Sequence, residues 1–248
     1  MDTNALDQGV ARIVAEIAAR EISPRFKNLP RGAVREKSSP TDLVTEADEA
    51  AELALKAALS AIAPDAEFIG EEHAAKDPSM VSRALQSDRA FIVDPLDGTR
   101  NFVAGIEEFG TILAYIERGE TIFGIIHLTP AGKTIIAARG SGAVIDGAAF
   151  MPESRRVGPP VGFRSTGFLE GESRERIIAA LRANTQSRPG LCAAYAYWRL
   201  AAGAVDFKLS SLIYPWDHVA GALLLNELGG ASRFLDNGER YAPHDRVA

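Results

Sequence analysis

The sequence predicts a mixed α/β chain with α+β layering, and three observations carry that expectation. Residues 1–65 hold two apolar patterns of helical period, residues 68–150 turn to strands separated by turns, and strands alternate with helices after Pro159-Pro160. The change of rhythm near residue 150 divides the chain into an N-terminal α+β half, 1–150, and a C-terminal α/β half, 151–248.

Leu6, Val10, Ile13 and Ile17 recur at helical spacing behind the candidate caps Thr3 and Asn4, giving an amphipathic helix that ends before Pro24. A second helix starts at Thr45 and runs through "EADEAAELALKAALSAIA" to Pro64, rich in residues that lose little rotamer freedom in a helix. Between them "RGAVREKSSPTDLV" reads as a mobile loop. The strand region contains "FIVDP", a hairpin "TILAYIERGETIFGIIHL" turning at Gly119-Glu120, and "KTIIAARGSGAVIDG". The C-terminal alternation runs "VGFRSTG", "SRERIIAALRAN", "LCAAYAYWRLAAG", "VDFKL" and "DHVAGALLLNELGG". No internal repeat or low-complexity tract interrupts it.

Composition excludes several classes. The 248 residues are 46% hydrophobic with a net charge of -6 and no Lys/Arg run, which fits a large-cored acidic globule and argues against direct nucleic-acid binding or a polybasic membrane anchor. No apolar run is long enough for a membrane span, and the N-terminus lacks the apolar core of a signal peptide. A single cysteine, Cys192, fits a reducing cytoplasm, and four scattered histidines show no zinc-ligand spacing.

Four acidic stations stand where apolar segments begin or end: Asp48, Glu71 with Glu72, Asp94 with Asp97, and Asp217. Each has a plain reading. Asp48 lies three residues after Thr45, as in a capping box; Asp217 opens an apolar helix, as an N-cap would; Glu71-Glu72 fits a solvated turn. Together they point elsewhere. Asp94 and Asp97 flank Pro95-Leu96, so both carboxylates can bend round one turn and share a hard divalent cation such as Mg²⁺, with a backbone carbonyl as a further oxygen ligand. Gly98 lets the backbone approach a ligand, and Thr99 offers a hydroxyl at a helix N-terminus that favours phosphate. A nucleophilic aspartate of the D-x-D-x-T type is one residue too short for the spacing here.

"DPLDGTRNF" resembles the D-P-[LI]-D-G-T-x-N-F signature of the inositol monophosphatase family of Mg²⁺-dependent, lithium-sensitive phosphatases. The resemblance extends in order through "KSSPTDLVTEAD", "FIGEE", "ARGSGAVIDG" and "PWDHVAGALLLNELGG", covering most of the chain. It implies an αβαβα sandwich of the sugar-phosphatase type, a homodimer, and two to three Mg²⁺ ions per site. By the same resemblance Glu71, Asp94 and the Leu96 carbonyl hold one ion, Asp94, Asp97 and Asp217 hold a second, and a third lies near Glu71. Asp48, Thr99 and Glu71 are then the catalytic residues, with Thr99 positioning a water and Asp48 orienting Thr99, and Gly98 and Thr99 bind the phosphate. The implied substrate is inositol 1-phosphate or a related small polyol or sugar phosphate; the alternatives are histidinol phosphate or a nucleotide or sugar bisphosphate, or a regulatory binding protein that keeps the fold.

The substrate side departs from the family. An acidic residue that reads sugar hydroxyls seven positions before the Asp of "WD" falls, by ungapped count, on Ser210, and the small residues that follow the glycine matching Gly190 are here Leu191 and Cys192. The implied substrate contacts are Asp97, Cys192, Ser210 and Asp217. Arg100 stands open between a solvated surface residue and a cation for a second anionic group.

Overall fold

The computed structural model describes residues 3–30, 32–37, 43–151, 157–190 and 192–243. Helix α1, Thr3–Ile17, continues into a π-turn, Ala18–Ile22, and a 3₁₀ turn, Ser23–Arg25, which accommodates Pro24. Val10, Val14, Ile17 and Ile22 are buried, as the helical spacing requires; the side chains of Thr3 and Asn4 lie outside the described residues. The expected loop is partly a sheet. Strands β1, Val34–Glu36, and β2, Leu43–Thr45, pair antiparallel, Val34 with Thr45 and Glu36 with Leu43. Residues 38–42, within the quoted "KSSPTDLV", lie outside the described residues. Two three-residue strands rich in charge carry too little alternation to be read from sequence.

Helix α2, Glu46–Ile62, starts at the N-cap Thr45 and buries Ala47, Ala51, Leu55 and Leu59. Strand β3, Glu67–Gly70, leads into two short helices that the strand-rich reading missed, α3, Glu71–Lys76, and α4, Ser79–Gln86. Strand β4, Arg89–Asp97, runs parallel to β3 and feeds α5, Thr99–Val103. The rest of the sheet is an antiparallel meander: β5, Gly110–Glu117; β6, Glu120–Leu128; β7, Lys133–Ala138; β8, Gly142–Ile145; and β9, Ala148–Phe150. The β5–β6 hairpin turns at Arg118-Gly119, one residue earlier than expected. Glu117 pairs with Glu120, and both turn residues have positive φ, 51° and 79°, the two-residue turn whose twist matches the strands.

The C-terminal alternation is β10, Val161–Ser165; α6, Gly171–Asn184; β11, Gln186–Pro189; α7, Ala193–Ala201; β12, Phe207–Ser210; and α8, Pro215–Glu227. Strand β11, "QSRP", has no apolar pattern and was not legible. The three strands are parallel in the order β11-β10-β12. The chain steps one way from β10 to β11 and back past β10 to β12, so right-handed crossovers put α6 and α7 on opposite faces of this sheet.

The layers follow from the cores. Helices α1 and α2 pack with Phe91, Val93, Leu113 and Phe123 on one face of the seven-stranded sheet. Helices α7 and α8 pack with Ile92, Ile112, Ala114 and Ile126 on the other, and Ala196 of α7 also meets Phe163 of β10. Five layers, αβαβα, result. A Cβ on Gly124 of β6 would sit 2.8 Å from Ala220 Cα, so glycine there lets α8 lie close on the sheet and brings its N-terminus beside the end of β4. Among the described residues no helix is long and apolar enough to cross a membrane.

Candidate active site

The site is built where β4 stops pairing. Asp94 faces Ile112 and Asp97 faces Gly110, so the β4 strand carries one extra residue in between, a bulge around Pro95, which has no N–H to give the ladder. Thr111 Oγ1 donates to the displaced Pro95 carbonyl at 2.8 Å, and the Leu96 N–H donates to Asp94 Oδ1 at 3.0 Å. The bulge brings both carboxylates to one place. Gly98 follows at φ 87°, and a Cβ on it would lie 3.0 Å from the Glu108 carbonyl and 3.2 Å from Cys192 Sγ, so only glycine fits between β4 and α5.

Asp217 completes the cluster from α8. It is not the N-cap, which is Tyr214; with Pro215 at the first helical position, Asp217 sits third in the first turn. Carboxylate oxygens of Asp94, Asp97 and Asp217 lie within 4.8 Å of one another, the first two buried and the third partly so. Burial pushes all three carboxyls up from the ordinary range, and their neighbours push Asp94 and Asp217 further: Glu71, Asp97 and Asp217 around Asp94, Asp97 and Glu71 around Asp217. Asp97 is pulled back by donors from α7. Its Oδ2 accepts from the Ala194 N–H at 2.6 Å and from the Cys192 thiol at 2.8 Å. Cys192, the α7 N-cap, thus turns its sulfur toward Asp97, and burial next to that carboxylate raises the thiol well above its usual value.

Asp48 closes the capping box with one carboxylate oxygen and reaches Thr99 with the other. Its Oδ2 accepts from Thr45 N at 2.8 Å and Thr45 Oγ1 at 2.6 Å, closing the capping box of α2. Its Oδ1 accepts from Thr99 Oγ1 at 2.9 Å. Burial, resisted by the Thr45 side chain and aided by Glu71, pushes this carboxyl up to about 6. Thr99 Oγ1 is also 2.9 Å from the Leu96 carbonyl, so the hydroxyl hydrogen has two acceptors at the mouth of the bulge.

Glu71 and Glu72 are not a solvated turn. They open α3, Glu72 is buried, and Lys37 Nζ reaches Glu71 Oε1 at 2.6 Å and Glu72 Oε1 at 2.9 Å. Burial alone would lower the Lys37 amine, but the two carboxylates more than reverse this. The α3 N-terminus is held by Glu52 of α2, whose carboxylate accepts from Glu72 N at 2.8 Å and His73 N at 3.0 Å. Sequence reasoning missed both Lys37 and Glu52. Glu52 lies one helical turn after Asp48 on the same face, which was the available signal.

Beside the cluster lies a pocket of about 130 Å³ at the C-terminal ends of β10 and β12, lined among others by Asp97, Arg164, Ser165, Cys192, Lys208, Ser210, Asp217 and His218. Ser165 and Ser210 are register partners on the two strands. Ser210 does line the pocket, but its Oγ accepts from Lys208 Nζ at 2.7 Å. Lys208 was not among the expected site residues. Arg100 is exposed on α5, which favours the solvated reading, and Leu191 lies outside the described residues.

A five-layer sandwich with carboxylates clustered at a strand end is the arrangement that the comparisons place in a class, the phosphoric monoester hydrolases. The chain belongs to the inositol monophosphatase family, whose model matches residues 2–248, and members of that family are phosphatases. It is 34% identical over 79% of its length to a fructose-1,6-bisphosphatase/inositol-1-monophosphatase of Thermotoga maritima, covering 73% of that protein. It is 29% identical over 75% of its length to a histidinol-phosphatase of Chlorobaculum parvum, covering 70% of it. Its fold matches a solved IMPase/NADP phosphatase complexed with Mg²⁺ and phosphate, with a TM-score of 0.83, 22% identity, and 98% and 88% of the two chains covered.

Proposed function

We propose that the chain is a Mg²⁺-dependent, lithium-sensitive phosphomonoesterase acting on a small phosphorylated polyol or sugar, inositol 1-phosphate or a relative of it, as a cytoplasmic homodimer. The observation that carries the reading is the convergence of Asp94, Asp97 and Asp217 within 4.8 Å. Three carboxylates raised by burial, two of them further by their acidic neighbours, are a set of hard oxygen donors that fits Mg²⁺. Glu71, Asp94, Asp97, Asp217 and the Leu96 carbonyl would hold two to three ions. Bound there, Mg²⁺ supplies Lewis-acid activation of water and neutralises charge developing on the phosphoryl and leaving oxygens.

The chain's own groups do the rest. Thr99 gives its hydroxyl hydrogen to Asp48 Oδ1, which leaves an oxygen lone pair to accept from the attacking water and fix its direction. Asp48 holds that orientation because Thr45 pins its other oxygen. The N–H groups of Gly98 and Thr99, at the start of α5, would receive phosphate oxygens. Phosphate release from a panel of inositol, sugar and histidinol phosphates, with Mg²⁺ and after exhaustive chelation, tests the reading. Turnover is expected only with the ion and is expected to fall in lithium; undiminished turnover after chelation would overturn it. The mass by light scattering tests the dimer.

A further inference from the structure

The pocket beside the acid cluster holds an ammonium that the reaction described above does not use. Lys208 Nζ, on β12, has three close partners: Ser210 Oγ at 2.7 Å, His218 Nδ1 at 3.3 Å and the Tyr197 ring, with its centroid 5.0 Å away. All three are neutral. His218 Nε2 faces the Leu212 carbonyl at 3.1 Å, and a carbonyl only accepts, so Nε2 carries the hydrogen and Nδ1 is a lone-pair acceptor for Lys208 and for the Tyr197 hydroxyl at 2.9 Å. An ammonium can only donate, so the Nδ1 that faces it carries no hydrogen and the ring is uncharged. The other cation lining the pocket, Arg164, donates through Nη1 to the backbone and the hydroxyl of Ser187 on β11.

A buried charge is costly unless it is paired, and here neutral acceptors fix the position of the ammonium without neutralising it. Burial lowers the Lys208 amine to about 8, with Asp217 and Asp97 pulling the other way, and among the described residues no carboxylate lies within ion-pair range of Nζ. We propose that Lys208 is a specificity-determining residue that pairs with a second anionic group, a carboxylate or a phosphate, on the part of the substrate away from the scissile ester. This rests on the reading of the acid cluster as a phosphate-ester site and adds to it the kind of ester preferred. The reach is right: the pocket shares Asp97 and Asp217 with the cluster, and Ser165 and Ser210 flank it with hydroxyls at the strand ends.

Four probes separate the cases: fructose 1,6-bisphosphate for a second phosphate, 3-phosphoglycerate for a carboxylate, and inositol 1-phosphate and glycerol 2-phosphate for neutral remainders. Dissociation constants are measured by calorimetry with Ca²⁺, and kcat/KM by phosphate release with Mg²⁺, for the native chain, Lys208→Met and Lys208→Arg. The native chain is expected to prefer at least one anionic probe over both neutral ones by about tenfold, and which one identifies the source of the anion. Lys208→Met should abolish that preference, mainly through Kd and KM, and Lys208→Arg should retain most of it. A preference unchanged in Lys208→Met, or a native preference for the neutral probes, would overturn the proposal. If Lys208→Met melts like an unfolded chain, Ser210→Asp, which sets a carboxylate against the ammonium, should abolish the preference instead. Failure of all four probes to release phosphate would sink the phosphatase reading, and the calorimetric preference would still decide Lys208.

Discussion

Two neighbouring regions meet at Asp97 and Asp217, and they are built on opposite electrostatic terms. The cluster at the end of β4 crowds three carboxylates together, each raised by burial, with Glu71 and Asp48 adding to the field. The pocket at the ends of β10 and β12 holds a single ammonium among neutral partners. In the first region acids outnumber the one lysine, Lys37, that reaches them, and in the second no carboxylate comes within ion-pair range of the ammonium among the described residues. On the proposed reading a phosphate ester with its metal ions would balance the first, and the remainder of the substrate would balance the second. If both proposals hold, the contrast makes reaction type and substrate choice separable, residue by residue.

The largest expected effect breaks the first region alone. Asp94→Asn and Asp217→Asn should each lower kcat by at least about 10²–10³-fold, the scale of losing one preorganised electrostatic group, while circular dichroism stays native. Their melting temperatures without Mg²⁺ should equal or exceed that of the native chain, since each removes repulsion. An Asn variant with near-native kcat in saturating Mg²⁺ would show that its carboxylate is no ligand.

A pH experiment sharpens the same contrast. The carboxyls of Asp94, Asp97 and Asp217 are raised in the folded chain, so their contribution to stability is fully present below the ordinary aspartate value and is lost as pH rises through the folded values. Mg²⁺ competes with protons for these groups. Added Mg²⁺ should therefore raise the melting temperature more at pH 8 than at pH 5, and an equal rise at both would show that the cluster does not bind it.

Next in size is the Thr99 and Asp48 pair. Thr99→Ala and Asp48→Asn should each lower kcat by about 10²-fold, the lower range for a positioned proton-transfer partner, and the double variant should lose little more. Losses that multiply would mean that the 2.9 Å bond between them does not carry the effect.

The two regions were also unequally legible in the sequence. Asp94, Leu96, Asp97, Gly98 and Thr99 lie within six residues, so local spacing brought these together, whereas the spacing of Asp48 after Thr45 announced only a cap and its link to Thr99 came from the family resemblance. The pocket is assembled from β10, β12, α7 and α8, and nothing local ties Lys208 to His218 or Tyr197. Of the fold, long periodic segments such as α1, α2, α8 and the β5–β6 hairpin were readable. The pair β1–β2, the short helices α3 and α4, and β11 were not, because three to eight residues hold too little pattern against neighbouring charge. The hairpin turn moved by one residue because non-glycine Arg118 takes positive φ.

The smallest expected effect concerns Ser210, and the structure changes its size. A glutamate there would accept hydrogen bonds from adjacent sugar hydroxyls, worth roughly 1.5–3 kcal/mol each to a charged acceptor, which by itself implies a shift toward inositol 1-phosphate of about tenfold. Lys208 Nζ already lies 2.7 Å from Ser210 Oγ, however, so in Ser210→Glu the new carboxylate pairs first with the ammonium and offers the sugar little. The single variant should shift the kcat/KM ratio of inositol 1-phosphate to glycerol 2-phosphate by less than about threefold. Removing the competitor restores the acceptor, so Lys208→Leu combined with Ser210→Glu should shift the same ratio by about tenfold. The two substitutions are therefore expected to be strongly non-additive, as contacting residues are. A full tenfold shift in the single variant would mean that the ammonium and residue 210 do not share the pocket in solution.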